Sequence, residues 1–133
     1  MVEKIEINGN LLAIIIRAND RSDSIEFITP NNLSFQLGLM FRNPSTPVKL
    51  HQHKARTRVI EATLEFLLVQ DGQCILKIYS EEFVDYFREV ELNTGDSALL
   101  ISGKHSIKFV RPTHLLEVKQ GPYSREDDKI LLE

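Results

Sequence analysis

The sequence predicts a mostly β protein, arranged as a sandwich or a small barrel, and three observations lead there. Short β-branched or aliphatic runs recur along the 133 residues: Lys4 to Ile7, Leu11 to Ile16, Phe35 to Phe41, Val48 to His53, Leu64 to Gln70, Cys74 to Tyr79, Ala98 to Ile101, Ser106 to Val110 and Leu115 to Lys119. Turn chemistry separates them. Asn8-Gly9-Asn10 and Asp71-Gly72 suit the φ > 0 positions of tight hairpins, and Asn93-Thr94-Gly95-Asp96 is another break of this kind. Finally, helical periodicity is confined to Ser80 to Val90, where Phe83, Val84, Phe87 and Val90 would form an apolar face. Nothing ends that stretch firmly, so helix and strand fit it equally well.

With 42% hydrophobic and 26% charged residues, the chain suits one compact soluble domain over residues 1–133, with no linker and no internal repeat. Sixteen Lys and Arg against nineteen Asp and Glu give a net charge of −3, and no basic run offers a phosphate-binding stripe, so no nucleic-acid partner is expected. The longest apolar stretch, Leu11 to Ile16, has six residues. A bilayer span needs roughly 20, so no membrane partner is expected either. Glu3, Lys4 and Glu6 do not fit a signal peptide, which makes the expected location cytoplasmic. Cys74 is the sole cysteine and lies in an apolar run, where it reads as a small buried hydrophobe.

Four histidines occur, at 51, 53, 105 and 114, and two of them form His51-Gln52-His53. On a strand, residues i and i+2 project from one face about 7 Å apart, a geometry that suits a metal. Glu65 opens a strand-like run ending in Asp71-Gly72 and shares its face with Leu67 and Val69. If those two point into a core, the carboxylate does too, and it then needs a cation, a metal or several donors. The opposite phase, with Phe66 and Leu68 inward, leaves Glu65 in solvent. His105 follows the turn Ser102-Gly103-Lys104, where it would either meet the first two histidines or sit on a surface loop. Arg56 with Arg58, and Glu117 with Lys119, each share a strand face. Solvent exposure is their plain reading, whereas an inward Arg58 or Lys119 would favour an anionic ligand. Tyr123, after Gly121-Pro122, would hydrogen-bond at a barrel mouth or simply pack, and His114 matches no motif.

In this order, His51-x-His53, Glu65-x6-Gly72 and Gly95-Asp96 to Gly103-x-His105 resemble the two motifs of the cupin superfamily. Eleven residues separate His53 from Glu65 instead of the three or four of the general motif; Ile101 replaces a usual proline, and one residue fewer precedes His105. Both departures look like a narrower group of small bacterial single-domain cupins, which Arg58, Ile60, Thr63 and Glu65 also match. Phe27-Ile28-Thr29-Pro30 is similar to that group's opening. Glu117-Val118-Lys119-Gln120-Gly121-Pro122-Tyr123, followed by Asp128-Lys129, is similar to its closing signature.

The resemblance implies an all-β double-stranded β-helix, a jelly-roll cupin barrel with its site inside. It implies His51, His53, Glu65 and His105 as ligands of a divalent transition metal. Three imidazoles and a carboxylate suit Fe, Mn, Ni, Zn or Cu and leave positions open for water or substrate. The expected ligand is a small polar molecule, with a lean to a sugar or sugar nucleotide, and Arg58, Lys119 and Tyr123 are candidate ligand-binding residues. A non-catalytic binding or structural cupin, and a metal-free sugar isomerase or epimerase using histidine as acid or base, are the alternatives. The fold hosts many chemistries, so the sequence leaves catalysis open. A homodimer is expected, with the apolar Leu11 to Ile16 strand packing across its interface.

Overall fold

The structure, a computed structural model, describes residues 1–81 and 87–132. The described residues are all β, with ten strands and no helix, and hence no helix long and apolar enough to cross a membrane. The chain divides into two compact units, one of residues 1–19 and 62–133 and the other of residues 20–61.

The first unit contains two antiparallel sheets. One has five strands in the order β1 (Glu3–Ile7), β2 (Asn10–Ile16), β8 (Ser97–Leu100), β5 (Glu65–Asp71) and β10 (His114–Lys119). The other has three, in the order β7 (Phe87–Asn93), β6 (Gln73–Tyr79) and β9 (Lys104–Phe109). Strand periodicity puts alternate residues on one face, and the inner faces of both sheets share a single apolar cluster. Ile5, Ala13, Ile15, Leu67, Val69, Ala98 and Leu100 enter it from the first sheet, and Cys74, Leu76, Ile78, Val90 and Leu92 from the second. Cys74 is therefore the buried hydrophobe expected, and burial pushes its thiol pKa up.

The turns divide into two kinds. Asn8 and Gly9, with φ of 49° and 78°, close a two-residue hairpin between β1 and β2, whose end residues Ile7 and Asn10 pair. Asp71-Gly72 and Asn93 to Asp96 are turns as well, but neither closes a hairpin. Each carries the chain from one sheet to the other, because β5 and β8 belong to the five-stranded sheet while β6 and β7 pair with each other. Gly72, with φ at 129°, also leaves room for Thr113, whose side chain a Cβ at this position would strike.

Asp96 organises the second of these turns. It is 7% exposed, and its carboxylate accepts from Ala18 N–H at 3.0 Å, Asn93 N–H at 2.9 Å and the Arg17 guanidinium at 3.1 Å. The Gly-Asp of the expected second motif is thus a fold device. It anchors the end of β2 and the start of β8 to one carboxylate.

The unit of residues 20–61 contains the short antiparallel pair β3 (Ile25–Phe27) and β4 (Gly38–Met40). Thr29 Oγ1 donates to Gln36 Oε1 at 3.0 Å and accepts from Leu37 N–H at 3.1 Å, which ties the connection between them. The Arg42 to Pro47 turn is built as its composition predicts: Asn43 Oδ1 accepts from Ser45 N–H at 3.0 Å, and Arg42 Nη2 donates to Thr46 O at 2.6 Å.

Several sequence expectations are corrected. Val48 to His53 forms no strand, and its residues are exposed; its apolar side chains alternate, but among the described residues no strand pairs with it. Phe35 to Phe41 shortens to Gly38–Met40. Of Ser80 to Val90, the part from Phe87 onward is strand, and residues 82–86 lie outside the described residues. The Leu11 to Ile16 run lies between β1 and β8, and Ala13 and Ile15 are fully buried in the chain's own core.

Candidate metal and ligand site

The register of the five-stranded sheet settles where Glu65 points. Ala13, Leu100, Glu65 and Lys119 form one row across β2, β8, β5 and β10, and Ala98, Leu67 and Glu117 lie in the next row on the same face. Leu67 and Val69 are 3% and 1% exposed in the core, so the phase of β5 is the one that turns Glu65 inward. The inner face runs from apolar at β2 to charged at the β10 edge.

His105 meets it from the other sheet. On β9 it pairs with Ile78, a core residue of β6, so it too is on an inner-facing position. Its Nε2 lies 3.4 Å from Glu65 Oε1. The Glu65 side chain is 18% exposed and that of His105 39%, which places the pair at the rim of the core rather than deep within it. The hydrogen bond from His105 outweighs the cost of burial and, with smaller contributions from Glu117 and Lys119, holds the Glu65 carboxyl down at about 2. At neutral pH Glu65 is therefore a carboxylate with an imidazole beside it.

Glu117 and Lys119 complete the group. The neighbouring Glu65 carboxylate, together with burial, pushes the Glu117 carboxyl above its ordinary range. Lys119 turns inward, as one of its readings allowed, but its ammonium is already matched: Asp128 Oδ2 lies at 3.1 Å and Glu117 Oε1 at 3.7 Å. The hydrogen bond to Asp128 raises the Lys119 pKa and holds it charged. With that charge neutralised inside the chain, Lys119 gives no reason to expect an anionic ligand. Tyr123 is 69% exposed, so it does not pack into the core, and the Lys119 ammonium stands 5.5 Å from its ring centroid.

In the unit of residues 20–61, His51 and His53 come together without a strand to hold them. Their rings meet edge to face with centroids 5.2 Å apart. His51 Nδ1 is 2.8 Å from Lys49 O. A carbonyl only accepts, so Nδ1 carries the proton, which leaves Nε2 as the nitrogen that could ligate a metal. Arg56 and Arg58 lie on exposed, non-strand backbone, so the shared strand face expected of them is absent. His114 is exposed at the start of β10.

The structure thus forms two donor pairs, Glu65 with His105 and His51 with His53. Among the described residues no group of three or more His, Cys, Asp or Glu side chains is gathered as for a metal ion. Asp128 was visible in the sequence only as part of the closing signature, and its bond to Lys119 required the chain to fold back nine residues later. Comparisons of the chain with protein-family models, curated proteins and solved structures find no match.

Proposed function

We propose that this chain is a small cytoplasmic bacterial cupin of the jelly-roll kind that holds a divalent transition metal and uses it to bind or transform a small polar metabolite. The observation that carries this reading is the meeting of Glu65 and His105 at 3.4 Å on inner faces of two different sheets. A carboxylate held ionised beside an imidazole is a mixed O/N donor pair of the type that first-row divalent metals accept. Glu65 and His105 would be ligands, and the H-x-H pattern adds His51 and His53, the first with its Nδ1 already bonded to Lys49 O. A bound metal would contribute Lewis acidity and an acidified water. The chain's own contribution is to keep Glu65 deprotonated and to hold Lys119 in place against Asp128. Beside these carboxylates, the hydroxyl groups of a sugar or sugar nucleotide would find acceptors.

A second reading has its own support. The Glu65 carboxylate 3.4 Å from His105 Nε2 is also how an imidazole is oriented for proton transfer. That arrangement suits a metal-free sugar isomerase or epimerase in which His105 would exchange protons with substrate.

Elemental analysis of untagged protein purified without chelator, beside the His51→Ala/His53→Ala and Glu65→Gln/His105→Gln variants, separates the two. Near-stoichiometric metal in the wild type that is lost from both folded variants supports the metal reading. A metal-free wild type that binds sugars equally well with and without chelator supports the acid–base reading and removes the first.

A further inference from the structure

The expected dimer strand, β2, is buried within its own sheet, but another strand is open. β10 ends the five-stranded sheet, and among the described residues no strand pairs with its far side. Edge strands are commonly protected from pairing by charge. On the face turned away from the core, β1 carries Lys4 and Glu6, β7 carries Glu89 and Glu91, and β9 carries Lys104 and Lys108. β10 instead carries Leu116 and Val118, 45% and 49% exposed, next to the half-buried Leu68 and Phe66 of β5.

We propose that β10 is a homodimer edge: two copies of this chain pair their β10 strands antiparallel about a twofold axis at Val118, making one continuous sheet of ten strands. The backbone favours this register. Gln120 N–H donates to Leu64 O at 3.1 Å, so by the alternation of an antiparallel ladder Val118 and Leu116 direct their main-chain groups toward β5. Glu117 and Lys119 direct theirs to the free edge. An axis at Val118 sets Glu117 opposite Lys119 of the second copy, and Lys119 opposite its Glu117. Each of these pairs exchanges main-chain hydrogen bonds and opposes charges of unlike sign. On the other face Val118 meets its own copy across the axis, and Leu116 lies beside it.

The competing registers that keep inner faces together are poorer. An axis at Glu117 opposes two carboxylates. An axis at Leu116 runs Lys119 against Thr113, beyond the start of the strand at His114. The twofold pairing is self-complementary, as a closed dimer requires.

The test is oligomeric state by light scattering and sedimentation at about 50 µM, a concentration well above the dissociation constant of a stable dimer. Wild type is expected at twice the chain mass and Val118→Lys at the chain mass, with unchanged circular dichroism because Val118 is already half exposed. Glu117→Lys, which would oppose Lys119 of the second copy, is expected to weaken the dimer at least about tenfold. Under mild oxidation Val118→Cys should cross-link to itself across the axis, while Leu116→Cys should not, since only residue 118 faces its own copy. Native Cys74 is buried and will not interfere. A monomeric wild type would overturn the proposal and leave the edge to a strand of another protein. So would a dimeric Val118→Lys, or cross-linking through Leu116→Cys in preference to Val118→Cys.

Discussion

Replacing Asp96 should be among the most damaging single changes outside the apolar core, although Asp96 is polar and sits in a turn. Its two carboxylate oxygens accept from the backbone of two separate segments, Ala18 and Asn93, and from Arg17. Asp96→Ala leaves two backbone N–H donors without their acceptor, each costing about 1–2 kcal/mol in a part-buried setting. Arg17 adds little, since its side chain is 40% exposed and water replaces the lost pair, so about 0–1 kcal/mol is expected there. The total is about 2–5 kcal/mol, which for a chain of this size lowers the melting temperature by about 6–15 °C. Asp96→Asn keeps one acceptor oxygen and should cost about half as much. Arg17→Ala should cost under about 1 kcal/mol. Urea denaturation followed by circular dichroism gives all three, with the midpoint moving and the slope unchanged. An Asp96→Ala protein within about 0.5 kcal/mol of wild type would refute the anchoring role, as would an Arg17→Ala loss equal to that of Asp96→Ala.

Three further outcomes are expected. Glu65 titrates near 2 in the folded chain against 4.5 as the reference value, so its ionised form is favoured by folding. That contribution is complete above about pH 4.5 and is lost as pH falls toward 2; Glu65→Gln should therefore flatten the stability–pH curve over this window, and an unchanged acid limb would contradict the pairing with His105. Cys74 should react with a thiol reagent only on unfolding, because it is 1% exposed and burial disfavours its thiolate; fast labelling of native protein would show the core assignment to be wrong. Gly9→Ala should cost about 1 kcal/mol from backbone strain alone, since φ is 78° and nothing lies within 4 Å of an added Cβ; a loss several times larger in urea titration would mean that the hairpin is built differently.

What was legible in the sequence was what is local. Asn8-Gly9 specified its hairpin because a two-residue turn with two positive φ values has few other solutions. Glu65 could be placed on the face of Leu67 and Val69 by the period of two alone, though not inward or outward until the core was seen. Asp71-Gly72 was legible as a turn, but not as a sheet change, because that depends on which distant strands β5 and β6 pair with. Val48 to His53 failed for the same reason. A strand exists only with a partner, and alternating Val48 and Leu50 could not reveal that none of the described residues pairs there. The contact of Glu65 with His105 spans forty residues and two sheets, so the sequence offered the two side chains but not their meeting.

Divalent metal added to apo protein, with the melting temperature followed, tests the central claim most directly. At a free metal concentration about 100 times the dissociation constant, a native-state site adds about 2.7 kcal/mol. That corresponds to a rise of about 8 °C for wild type. The account predicts that at least one of Fe, Mn, Ni, Zn or Cu produces this rise, and that Glu65→Gln, His105→Gln and His51→Ala/His53→Ala each remove most of it. No rise with any of the five ions, or an equal rise in wild type and all three variants, would contradict it.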